Sequence, residues 1–252
     1  MVTFFMWLMH WVPHPGRSVP LFEDIVAALG TGSPALRVAI VAAVVGIAFY
    51  AFLNLKYLVW NLRSYRAWQG SEAYARLCSS NAETQLLAMP LAMAMSVNVC
   101  FMLGMVFVPG LWNVVEYLFP LAVLAFLAIG VLAFRQLGGF LGRVLVQGGF
   151  SCAGNNSFAQ ALPAFALAMI GVGLAAPAGM SASRLVAGTG LVLSTFFLVA
   201  AALIGAVALV LGLRSLMENG ATIETAPTLS VFIPLLTIIA ILSLRQNHGL
   251  DQ

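Results

Sequence analysis

Charge is what this chain has least of. Only 8% of its 252 residues are charged, and eleven Lys and Arg exceed eight Asp and Glu by three. So small and scattered a balance excludes a nucleic-acid footprint, which needs clustered basic residues. Cysteine is scarce too. Cys78, Cys100 and Cys152 form an odd set without metal-ligand spacing, which excludes a disulfide framework and a zinc site. The three histidines, His10, His14 and His248, make no carboxylate–histidine pattern, and no Walker A loop, HExxH helix or nucleophile elbow is present. The stretch Gly138-Gly139-Phe140-Leu141-Gly142-Arg143 lacks the strand–turn–helix context of a dinucleotide fingerprint and reads as a flexible or interfacial loop. The chain is therefore not read as an enzyme, and neither a metal nor a cofactor is expected.

Apolar residues fill the space that charge leaves. They make up 62% of the chain, and mean hydropathy is +1.02. A soluble core of this length has no need of so much apolar surface, so the expected class is an all-α polytopic membrane protein in a lipid bilayer. Runs of about 20 apolar residues fall at Ala39–Trp60, Leu86–Val108, Val114–Phe134, Phe158–Gly179, Leu185–Leu213 and Thr228–Leu244. A shorter run, Val2–Val12, precedes the breaker Pro13-His14-Pro15-Gly16 and lacks the charge and cleavage pattern of a signal peptide. It is taken as a further transmembrane helix, giving about seven spans, with an interfacial helix as the alternative. One transmembrane domain over 1–252 is expected, with the short first span and a mixed-charge connection in 1–38 and helical hairpins in 39–252.

Basic residues favour alternate loops. Lys56, Arg63, Arg66, Arg76, Arg135, Arg143 and Arg214 flank the connections after spans two, four and six, leaving Arg17, Arg37, Arg184 and Arg245 on the other side. Positively charged loops stay in the cytoplasm, so seven spans place the N-terminus there as well.

Three prolines punctuate the apolar runs at a near-constant interval: Pro90, Pro163 and Pro234, 73 and then 71 residues apart. A proline in a helix interior removes a backbone donor and costs about 3 kcal/mol, so in a membrane it needs neighbours, water or a cavity to serve the freed carbonyl. These carbonyls belong to Leu86, Ala159 and Ser230. One kink per hairpin suggests hairpins arranged around a central axis, with proline-kinked odd helices lining it. Seven residues before each proline stands a helix-start signal, Glu83, Asn156 or Pro227, nearly two turns away and so on the same face. Asn81 and Asn155 suit N-caps, and Glu83 and Glu224 complement the helix dipole. Plain capping accounts for these residues; a polar vestibule built from caps at one depth is the functional alternative. Deeper, Asn98, Gln160 and Ser230 are the polar residues of the proline-bearing spans, each readable as a bond to a neighbouring helix or as pore lining. The candidate pore-lining or substrate set is Glu83, Pro90, Asn98, Asn156, Gln160, Pro163, Ser230 and Pro234.

The segments Glu83-Thr84-Gln85-Leu86-Leu87-Ala88-Met89-Pro90, Asn155-Asn156-Ser157-Phe158-Ala159-Gln160-Ala161-Leu162-Pro163 and Ala226-Pro227-Thr228-Leu229-Ser230-Val231-Phe232-Ile233-Pro234 resemble the tellurite-resistance/dicarboxylate transporter family. TehA and the plant slow anion channels belong to it, and the chain also looks like its TsoY branch, some of whose members are selenoproteins. The likeness runs from about Phe52 to Leu244 and lies more in spacing than in identities. It implies ten helices in five hairpins, kinked odd helices around a pore, a homotrimer, a bacterial inner membrane, and small anions such as chloride, nitrate, sulfite or dicarboxylates as partners. Two departures stand out. The last hairpin is missing, and with it the ninth helix that carries the family's gating phenylalanine. A further repeat would put its proline near position 306, so a product truncated after Gln252, at a recoded stop codon, is the expectation. Selectivity is not written in the residues, because the proline-bearing runs contain no Lys or Arg at mid-membrane. The function expected is a transporter or channel for small anions; a membrane accessory or redox-linked protein that transports nothing is the alternative.

Overall fold

The computed structural model describes residues 1–17, 19–151, 157–221, 223 and 225–250, and among them the chain is helical without strands. Among the described residues six helical segments are long and apolar enough to cross a membrane: Pro34–Trp68, Asn81–Phe107, Val115–Gln147, Ala159–Met180, Arg184–Asn219 and Ala226–Leu250. Each contains or overlaps one of the six long apolar runs. The protein is an integral membrane protein of the all-α class.

The seventh run does not reach that length. Helix α1 spans Val2–Met9, eight residues and about 12 Å, against the 20 residues a bilayer requires. The connection that follows contains a helix of its own, α2 at Phe22–Thr31, whose Asp24 carboxylate accepts the Leu21 N–H at 3.0 Å and pairs with Arg17.

The chain divides into two compact units. The first comprises Met1–Asn61 with Met95–Leu121. It contains α1, α2 and parts of three long helices, α3 (Pro34–Trp68), α5 (Ala88–Phe107) and α6 (Val115–Gln147). Met6, Met9, Ile40, Ile47, Val99 and Val106 are among the residues of its core. Gly46 leaves room for the Phe5 ring, which stacks on Tyr50 at 5.8 Å between centroids. Ser96 donates to the Asn54 amide oxygen at 2.8 Å. Gly110, in the left-handed region at φ 69°, donates its N–H to the Glu23 carboxylate at 2.6 Å. That bond is the main reason the Glu23 carboxyl titrates below the ordinary glutamate value.

The second unit, Leu62–Ala94 with Ala122–Gln252, includes the short α4 (Glu72–Cys78) and is built on α7 (Leu162–Met180). This helix is buried almost all round, from Pro163 through Ala178, and small residues make that possible. Helix α8 (Arg184–Asn219) runs antiparallel to it, Gly190 facing Leu174 and Ala178, Gly205 facing Ala164, and Gly212 facing Phe158. Helix α9 (Phe232–Leu250) runs parallel to α7. Phe232 meets Phe158, Leu242 meets Gly171, and Gly249 meets Ala178. These pairs are 71 to 74 residues apart. The proline interval of the sequence is thus the register of two parallel helices.

Two local expectations change. The glycine stretch Gly138–Arg143 is no loop: it lies inside α6, which continues to Gln147. Phe140 is buried and Arg143 is held by an ion pair, so tertiary contacts outweigh the roughly 1 kcal/mol that each helical glycine costs. The prolines, too, differ from mid-helix kinks. Each follows a short 3-10 turn and sits in the first turn of its α-helix: Asn81–Leu87 before α5, Ala159–Ala161 before α7, Ala226–Ser230 before α9. Proline is tolerated there because the first-turn donors have no intrahelical partner. The 3-10 bonds also take up two of the three carbonyls expected to be free, those of Leu86 and Ala159. The N–H groups ending the first turn donate to Gln85 and Leu86, and the Leu162 N–H donates to Ala159.

Candidate functional site

The three proline-marked helix starts are tied together at one polar mouth in the second unit. Its centre is the backbone carbonyl of Asn81. It accepts the Gln160 amide at 2.8 Å and the buried Thr84 hydroxyl at 3.2 Å. The Asn81 side chain pairs with one peptide unit, donating to the Ser151 carbonyl at 2.8 Å and accepting the Ser151 N–H at 3.2 Å. That occupation explains why Asn81 is not the N-cap. Ser80 takes the role, its hydroxyl oxygen accepting the Ala82 N–H. The third start joins through Thr228, whose hydroxyl accepts the Phe158 N–H at 3.1 Å and itself donates to the Thr225 carbonyl.

Charge at the mouth is balanced. Glu83 accepts from Arg143 Nε and Nη2, each at 2.9 Å, and both side chains are less than a fifth exposed. Arg143 also donates to the Ser80 carbonyl at 2.8 Å and lies over the Phe140 ring. A pair so enclosed depends on both partners, because removing one strands a charge.

The other candidate residues are distributed unevenly. Pro90 and Pro163 are buried, whereas Pro234 is exposed. Ser230 is exposed and donates to the Pro227 carbonyl of its own turn. Gln160 takes the helix-bridging role. Asn98 is half-buried in the first unit. Asn156, like Asn155, Cys152 and Glu224, lies outside the described residues.

A second polar cluster lies within the spans and was not singled out from the sequence. Gln246 is buried and donates to Ser194 Oγ at 3.1 Å and Thr195 Oγ1 at 3.3 Å. Beside it, Arg245 Nη1 donates to the Val172 carbonyl of α7 at 2.9 Å. Read as sequence, Arg245 falls just past the last apolar run. In the structure the span continues to Leu250, so a proline-bearing span does carry an arginine. The available signal was the register: Val172 and Arg245 are 73 residues apart, one proline interval.

No protein-family model, curated protein or solved structure matches this chain.

Proposed function

We propose that the protein is a membrane transporter or channel for small anions, with the polar mouth at one end of the path. The observation that carries this reading is the joining of three proline-marked helix starts through Gln160–Asn81 and Phe158–Thr228. A lipid-facing helix gains nothing from an interrupted first turn, whereas helix starts gathered at one place suit a membrane substrate site. The family resemblance supplies the anion class, the inner membrane of a bacterium, a homotrimer and the TsoY-type relationship as parts of the same proposal. No enzymatic step belongs to it.

Orientation is also proposed. The basic residues Arg63, Arg66, Arg76, Arg143 and Arg214 stand at the same ends of the six spans as the mouth, a bias that supports a cytoplasmic mouth. With six crossings instead of seven, the same bias puts Met1 on the far side.

Reconstitution tests the function. Purified protein in liposomes is expected to admit at least one of chloride, nitrate, sulfite and a dicarboxylate faster than protein-free liposomes do. Silence with all four would favour the accessory reading, in which the mouth is only a structural hydrogen-bond network.

A further inference from the structure

We infer that Arg245 is an anion-binding residue, its guanidinium holding a small inorganic anion or an anionic headgroup beside the contact of α7 and α9. Arg245 is half-buried in the last span, and Val172, its carbonyl partner, lies eight residues before the end of α7, about 12 Å along the axis. Among the described residues no carboxylate lies within ion-pair distance of it. A carbonyl offers a dipole but leaves the net charge in place. A charge inside a span is costly and by default marks a ligand or ion pathway. The guanidinium has five N–H donors in a planar fork, of which one is committed to Val172 among the described residues, so capacity for an anion remains. The neighbouring Gln246 is locked onto Ser194 and Thr195, fixing this turn of α9 against α8.

A purely structural role is the rival. Pro177 removes the helical donor for the Gly173 carbonyl, and Arg245 would then only patch an acceptor-rich turn of α7. The two roles separate under anion titration. This inference takes its anion class from the transport reading, yet the two fail in different experiments.

Thermal unfolding of the purified protein in neutral detergent is measured against sodium nitrate, with sodium gluconate at equal ionic strength as reference. The expected result is a saturable rise in Tm with nitrate that Arg245→Gln abolishes. Arg214→Gln, at an exposed ion pair elsewhere on α8, should keep the rise. If Arg245→Gln does not fold, Arg245→Lys takes its place; losing the fork should move the midpoint to several-fold higher nitrate. The inference is overturned by a nitrate rise that persists in Arg245→Gln, by an unchanged midpoint in Arg245→Lys, or by a wild type that shows no saturable shift with either nitrate or an anionic lipid. The titration is repeated with phosphatidylglycerol in the micelle. A shift with that lipid alone, lost in Arg245→Gln, identifies the headgroup as the anion and keeps the site; a lipid shift that persists in Arg245→Gln, or the absence of both shifts, overturns it. An Arg245-dependent nitrate shift without flux leaves the site standing and the transport reading fallen; flux without any shift does the reverse.

Discussion

At the scale of single residues, the mouth rests on a few groups whose removal has distinct costs. Glu83→Gln leaves Arg143 enclosed without its counter-charge and should destabilise by about 2–3 kcal/mol. Chemical unfolding in detergent checks this, and a double-mutant cycle with Arg143→Met should recover much of the loss; independent, additive effects would contradict the pair. Glu23 shows the opposite situation, an exposed carboxylate whose value is lowered by the Gly110 N–H. A depressed folded-state value means stability that is present above the ordinary carboxylate range and lost as pH falls through the folded value. Titrating unfolding below pH 5 should therefore show a small step that Glu23→Gln removes. Some of these residues were legible from sequence and their partners were not. Glu83 and Gln160 stood out as polar groups in apolar surroundings, but Arg143 and Ser151, 60 and 70 residues away from Glu83 and Asn81, are brought in only by the fold.

At the scale of elements, small residues decide which faces of α8 meet α7. Gly190 is buried, and a Cβ there would lie 2.8 Å from the Leu174 carbonyl oxygen and 3.2 Å from the Ala178 nitrogen, backbone atoms that cannot swing aside. Gly188, two residues earlier and so on the opposite face, has open space. Gly190→Ala should lower stability by about 1–3 kcal/mol through overpacking. Gly188→Ala should be neutral or gain up to about 1 kcal/mol from helix propensity. Equal effects on Tm would contradict the assigned face. Pro163→Ala probes the 3-10 start. Stability should change by no more than about 1 kcal/mol, because the Leu162 N–H already serves Ala159, while flux falls as the turn rewinds and draws Gln160 off Asn81. The six spans were readable because 20 apolar residues leave few alternatives. Their ends were read short because α3, α6 and α8 continue helical past the hydrocarbon, through Arg66, Arg143 and Arg214, where hydropathy falls but helical hydrogen bonding does not. The 3-10 starts were not readable, since a proline in an apolar run looks alike in a first turn and in a kink.

At the scale of the whole molecule, the repeat is the organising fact. The 71-residue interval between Pro163 and Pro234 is the register of α7 and α9, which is why a one-dimensional spacing foretold the three-dimensional arrangement of these two helices. The six-span topology is checked by impermeant thiol labelling in a background without native cysteines. Ser183→Cys, between α7 and α8, should react from outside intact cells, and Arg66→Cys only after the membrane is breached; the reverse pattern would invert the protein. The claim on which the functional account depends is that a small anion crosses this molecule. The most direct test is nitrate influx into liposomes containing the purified wild-type protein, with potassium influx followed in the same preparation. The account predicts nitrate entry well above that of protein-free liposomes and no matching rise for potassium. Nitrate entry equal to that of empty liposomes, or potassium entering as readily as nitrate, would contradict it.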